Sequence, residues 1–254
     1  GFGLITYNYD LAMNYLLDLQ EDANGEGQYE LKVAYSYDDQ GNPLNKEYWD
    51  VSKNIRVGKE NYTWNDRDEL TFISGRVTED YVYDYKGLRC ITHREGVPRA
   101  YSQASSDGDT IFKYIYLNNN QPAFKLVNID YTSPPIDDIE YADIFIYEGS
   151  KRIARIRAND LLGTITKETF INDYQGSPVA VLADDQTVKY QTYNDPWGNM
   201  EMEVGTPSSD PEIRYTDKEL DEDIRLYYFQ ARYYDSMAGS FIGRDKMKLE
   251  YSQN

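Results

Sequence analysis

One short unit limits what this chain can become: an aromatic, any residue, a second aromatic, then Asp or Asn, then a polar turn. It appears as Tyr7-Asn8-Tyr9-Asp10, as Tyr35-Ser36-Tyr37-Asp38 before Asp39-Gln40-Gly41, as Tyr62-Thr63-Trp64-Asn65, and as Tyr81-Val82-Tyr83-Asp84 before Tyr85-Lys86-Gly87. Tyr114-Ile115-Tyr116-Leu117 and the degenerate Phe145-Ile146-Tyr147-Glu148-Gly149 continue the series. Aromatics at i and i+2 share one face of a strand, and Asp or Asn followed by Gly closes a hairpin. Each copy therefore reads as a strand plus its turn. The copies start at uneven intervals of 19 to 33 residues, which suits a meander of consecutive antiparallel hairpins better than a solenoid of fixed period. Leu11 to Gln20 comes nearest to a helical pattern, but it runs into Asn24-Gly25-Glu26-Gly27 and is expected to be strand. The expected fold is all-β, a curved sheet or part of a hollow β-shell with almost no helix. Ser105 to Asp109 and Thr132 to Asp138 read as surface loops within one continuous domain, 1–254.

Composition narrows the function. Twenty-six tyrosines suit sheet packing. Against 44 Asp and Glu stand 26 Lys and Arg, and the net charge of −18 repels phosphate backbones and anionic lipid. Neither a nucleic-acid partner nor membrane insertion is expected, and no run of about 18 apolar residues occurs. The start at Gly1-Phe2-Gly3 without Met suits a piece of a longer chain. A single cysteine, Cys90, rules out an internal disulfide, and a single histidine, His93, rules out a Cys/His zinc site within one chain. Asp22, Asn24, Gly25 and Glu30 resemble part of a calcium loop, but Gln20 and Leu31 fall where the anchoring carboxylates belong. Asp217 to Asp223 reads as a solvated acidic face. No metal and no cofactor are expected.

From Phe170 the chain resembles a known family. Phe170-Ile171-Asn172-Asp173-Tyr174-Gln175-Gly176-Ser177-Pro178 looks like the segment that opens the Rhs-associated core of tyrosine-aspartate (YD) repeat proteins. Tyr193-Asn194-Asp195-Pro196-Trp197-Gly198 is similar to that core's proline turn, with one extra residue before the proline. Arg214-Tyr215-Thr216-Asp217-Lys218-Glu219-Leu220-Asp221, then Leu226 to Asp235, Gly239, Phe241 and Arg244-Asp245, follow the family signature in order. On this resemblance 1–168 are degenerate YD repeats and 169–254 a core-like segment. The family, which includes toxin-complex C components and more distantly teneurins, implies a secreted or cell-surface bacterial shell. Its expected partners are an enclosed or attached toxin polypeptide and the rest of the shell, with self-association through sheet edges. The family core commonly carries an aspartyl autoprotease, and the resemblance makes Asp221 and Asp245 the candidate carboxylates and Arg214 their positioning residue. The family's Asp-Pro-x-Gly-Leu cleavage motif does not follow Asp245. A carbohydrate-binding adhesin, its tyrosines stacking on sugar rings, is the rival reading.

Overall fold

The computed structural model describes residues 4–95, 109–117, 120–130, 139–160, 162–205, 213–221 and 224–243. Sixteen long strands take the same order in the sheet as in the sequence. This is the all-β run of consecutive antiparallel hairpins that the repeats predict. Among the described residues the helical content is a 3-10 turn at Tyr215–Asp217. The chain divides into two compact units, Gly1–Thr78 with Ser240–Asn254, and Glu79–Gly239. That division is not the one at 168/169 drawn from the motifs.

The first unit holds β1 (Leu4–Tyr9), β2 (Leu16–Asp22), β3 (Leu31–Tyr37), β4 (Pro43–Asp50), β5 (Ile55–Trp64) and β6 (Leu70–Ser74). Its buried side chains include Leu19, Val33, Tyr35, Tyr48, Tyr62 and Ile73. Leu11 to Gln20 is strand only from Leu16. The Asp10 carboxylate accepts from the backbone of Ala12 and Met13, which holds a turn there and leaves Leu11 fully exposed.

The second unit holds β7 (Glu79–Tyr83), β8 (Arg89–Arg94), β9 (Asp109–Tyr116), β10 (Pro122–Asp130), β11 (Ile139–Glu148), β12 (Lys151–Asn159), β13 (Thr164–Asn172), β14 (Pro178–Ala183), β15 (Val188–Asn194) and β16 (Met200–Gly205). A three-strand meander follows: β17 (Glu219–Asp221), β18 (Leu226–Tyr228) and β19 (Tyr233–Asp235). Two aromatic-rich clusters pack this unit, Phe112–Tyr114–Val127–Tyr141 and Phe145–Phe170–Val181–Tyr190–Ile213. The final strand, β20 (Ser240–Ile242), belongs to the first unit. Thr132 to Asp138 and most of the Ser105 to Asp109 stretch lie outside the described residues; Asp109 begins β9.

The turn of the repeat is one structure used again and again. At Asp38, Asp84, Asp173 and Asp195 the carboxylate accepts from the backbone N–H two and four residues on, at 2.8 to 2.9 Å. The residue three after the Asp is a glycine with φ of +80 to +93°, a conformation that costs a side chain and not glycine. Asn65 performs the same task for Arg67 and Glu69, with Asp68 at the positive-φ position. Just before each of these turns the register slips by one residue, at Ser36/Tyr37, Thr63/Trp64, Val82/Tyr83, Ile171/Asn172 and Tyr193/Asn194. Such bulges sharpen the local twist of the pair. The extra residue in Tyr193-Asn194-Asp195 is thus accounted for: Asn194 ends the strand across the bulge, and Asp195 starts the turn.

Candidate functional site

A charged residue two positions before a repeat aromatic must share that aromatic's buried face, because side chains alternate along a strand. Lys46 before Tyr48, Glu60 before Tyr62, Glu79 before Tyr81, Asp143 before Phe145 and Glu168 before Phe170 all do so, and each is at most 4% exposed. Buried charges need partners, and the register supplies them. Glu79 lies opposite Arg94, Lys125 opposite Asp143, Asp143 opposite Arg157, and Arg155 opposite Glu168. This i−2 spacing is the sequence signal that reading the aromatics alone misses.

In the second unit two carboxylates of β17 join these rows. Arg94 donates through Nε to Glu79 Oε1 and through Nη2 to Asp221 Oδ1 at 2.8 Å, while the Tyr81 hydroxyl donates to Glu79 Oε2 at 2.7 Å. Burial first, and then the charge of Asp221, push the Glu79 carboxyl up to about 8 against the pull of Arg94. At neutral pH Glu79 keeps its proton beside the Arg94 guanidinium and the Asp221 carboxyl.

The second β17 acid behaves in the opposite way. Glu219 accepts from Arg89 Nη2 at 3.0 Å, Lys125 Nζ at 2.9 Å and the Tyr114 hydroxyl at 2.7 Å. Burial alone would raise it, but Lys125 and Arg89 together hold it down at about 2. Arg89 is enclosed by aromatic rings: its guanidinium carbon lies 4.3 Å from the Tyr228 ring centre, 5.3 Å from Tyr114 and 5.5 Å from Tyr81. Rings at these distances attract a cation, more strongly once it is desolvated. Both acids come from the motif at Arg214 to Asp221; of the run Asp217 to Asp223, expected as a solvated face, Asp217, Glu219 and Asp221 are buried or half-buried, and Glu222 and Asp223 lie outside the described residues.

Of the candidate catalytic residues, Asp221 sits in the carboxyl pair with Glu79, 8% exposed. Arg214 turns elsewhere, donating through Nη1 to the Tyr190 hydroxyl and to Met200 Sδ. Asp245 lies outside the described residues. The calcium-like loop is a hairpin connection. Asp22 accepts from the backbone of Gly25, Glu26 and Gly27, and Glu30 accepts from Ala23 and Asn24. Among the described residues no group of three or more His, Cys, Asp or Glu is placed to hold a metal ion.

No family model matches the chain. It is 29% identical over 194 residues to the tRNA nuclease WapA of Bacillus subtilis, an alignment covering 74% of this chain and 7% of that protein. It is 23% identical over 223 residues to the "Probable deoxyribonuclease RhsA" of Dickeya dadantii, covering 85% of this chain and 14% of that protein. Its fold matches the crystal structure of TcdB2-TccC3 with a TM-score of 0.58 at 16% identity, over 95% of this chain and 14% of that one. The chain thus spans a small part of each of these proteins, between 7% and 14% of their length.

Proposed function

We propose that this chain, similar to Rhs and WapA proteins, is a wall segment of a secreted or cell-surface bacterial Rhs/YD-repeat shell that encloses or presents a toxin polypeptide. The observation that carries this reading is the run of sixteen strands in sequence order, closed by one repeated turn. Such a sheet grows by adding hairpins and offers an extended surface. The polypeptide it would enclose, and the remaining shell strands, are its partners. Limited proteolysis of the full-length protein tests this. The segment following the shell resists digestion while the shell is folded and is cut once the shell is unfolded. Equal digestion of that segment in both states overturns enclosure.

A second reading, aspartyl self-cleavage, is favoured by the Glu79–Asp221 pair. A carboxyl that keeps its proton to about pH 8 beside a second carboxyl is the acid–base pairing that activation of water requires. On this reading Asp221 acts with Glu79, and Arg214 stands apart on Tyr190. Intact mass of the full-length protein decides. A cut chain that becomes whole in Asp221→Asn supports self-cleavage, and an uncut wild-type chain retires it.

A further inference from the structure

The second unit contains a cavity of about 340 Å³, within the range of small-ligand sites. Most of the charge on its wall is already neutralised. Lys125 is paired with Glu219 at 2.9 Å, and Asp143 takes two hydrogen bonds of 2.7 Å from Arg157. Hydroxyls on the wall are also committed: Tyr147 donates to the Pro122 carbonyl, Tyr116 to the Arg89 carbonyl and Tyr114 to Glu219.

Three lining groups are not so well matched: Arg152, Asp217 and Lys218. Arg152 is 4% exposed, with its guanidinium carbon 4.3 Å from the Phe145 ring centre. Nε of Arg152 donates to the Tyr147 hydroxyl at 3.1 Å and is 3.5 Å from Asp217 Oδ1. That oxygen is buried and accepts no hydrogen bond, and burial raises the Asp217 carboxyl above its ordinary range. Lys218 Nζ stands 5.6 Å from the Phe229 ring centre, and burial lowers its ammonium. Among the described residues no carboxylate lies within ion-pair distance of Lys218. The backbone holds Asp217 in place at a cost, since Thr216 and Asp217 have φ of +51° and +59°, two successive left-handed residues of which neither is glycine. The hydroxyl of Ser177, from the Gly-Ser-Pro motif, accepts from Thr216 N at 3.0 Å and braces this turn.

Two cations and one under-bonded acid at an aromatic-walled cavity leave one positive charge and one acceptor unmatched. We propose that this cavity binds a small organic acid whose carboxylate pairs with Arg152 and Lys218 while a hydrogen-bond donor beside it satisfies Asp217 Oδ1. A hydroxyl of an acid sugar and the ammonium of a free amino acid are the two sources of that donor. An Arg braced on a ring is pre-organised for a carboxylate, and the ligand restores Asp217's missing bond.

Calorimetric titration of the full chain with matched probes tests this: sodium glucuronate against glucose, and phenylalanine against phenylethylamine. Glucuronate or phenylalanine saturates the protein with Kd of about 1 mM or tighter, and its counterpart without a carboxylate does not. Whichever acid binds identifies the donor. Lys218→Gln, a change at a half-buried side chain, weakens binding about tenfold, Asp217→Asn weakens it several-fold, and Lys86→Gln on the exposed surface leaves it unchanged. Failure of both acids to saturate overturns the proposal. So does equal binding of the carboxylate-free probes, or binding that Lys218→Gln leaves intact.

Discussion

Two buried acids, one in each unit, are built to a similar plan and differ in the charges that meet them: Glu60 faces Lys46 with Arg76 3.7 Å away, and Glu79 faces Arg94 and a second carboxyl. In the first unit Lys46 lies opposite Glu60 across β4 and β5. Both are fully buried, and the Tyr48 and Tyr62 hydroxyls complete Glu60 at 3.3 and 2.8 Å. In the second, Glu79 lies opposite Arg94 across β7 and β8, and Tyr81 supplies the hydroxyl. Strand, face and tyrosine are the same. What is added is Asp221, arriving from β17 on the free end of the Arg94 guanidinium. A pair of opposite charges is complete in itself, whereas two carboxyls sharing one guanidinium are complete only when one keeps its proton. Burial first, and then a residue contributed from far along the chain, make this pair a proton-holding group.

Removing the cation separates the two arrangements most strongly. Arg94→Met leaves Asp221 charged and unpaired, and costs about 3–5 kcal/mol in chemical denaturation. Lys46→Met costs less, about 2 kcal/mol, because Arg76 still stands 3.7 Å from Glu60 and Glu60, already raised by burial, can take up a proton among its hydroxyls. Equal losses would mean that Asp221 adds nothing to the second group.

The proton itself is the next test. Folded, Glu79 keeps it up to about pH 8, while the unfolded chain releases it near 4.5. Its contribution to stability is whole below that lower pH and is lost as pH rises through about 8, at about 1.4 kcal/mol per pH unit. Glu219, held at about 2, has the opposite sign, whole above 4.5 and lost as pH falls through about 2. Denaturation between pH 5 and pH 8 therefore shows a falling stability that Glu79→Gln makes markedly shallower. A slope left unchanged by the substitution would place the proton elsewhere.

The smallest effect sharpens the comparison at the tyrosines. Tyr62→Phe costs about 2 kcal/mol and Tyr81→Phe about 1 kcal/mol, because at neutral pH Tyr81 donates to a carboxyl that already carries its proton. Melting of the two variants at pH 7 ranks them, and the reverse order would contradict a protonated Glu79.

The hairpins were legible in the sequence because every bond that makes them is local. Asp38 to Asn42 and Asp173 to Ser177 carry the acceptor, the donors and the positive-φ glycine within five residues. The charged rows were half legible. Glu60 and Glu79 announce their face by preceding Tyr62 and Tyr81 by two, but nothing local says which cation meets them. The bond between Arg94 and Asp221 spans 127 residues and that between Arg89 and Glu219 spans 130, so only the folded register brings them together. Asp221 was legible as a candidate from the motif around it, and its partner Glu79 was not, because Glu79 lies in a repeat with no core-like signature. The first turn of the Leu11 to Gln20 stretch was misread because Asp10 caps Ala12 and Met13 from outside the apolar pattern.

The alternation of buried charge from β10 to β13, with Lys125, Asp143, Arg155 and Glu168 in turn, also constrains how such a gene can change length. Copying or deleting a whole hairpin inserts or removes one cation-bearing and one anion-bearing strand, so every neighbour still meets its opposite. Copying a single strand would set like charges side by side in the dry interior and reverse the direction of every strand after it. A change of length that keeps these pairings therefore comes in steps of two strands, set by electrostatics as much as by topology.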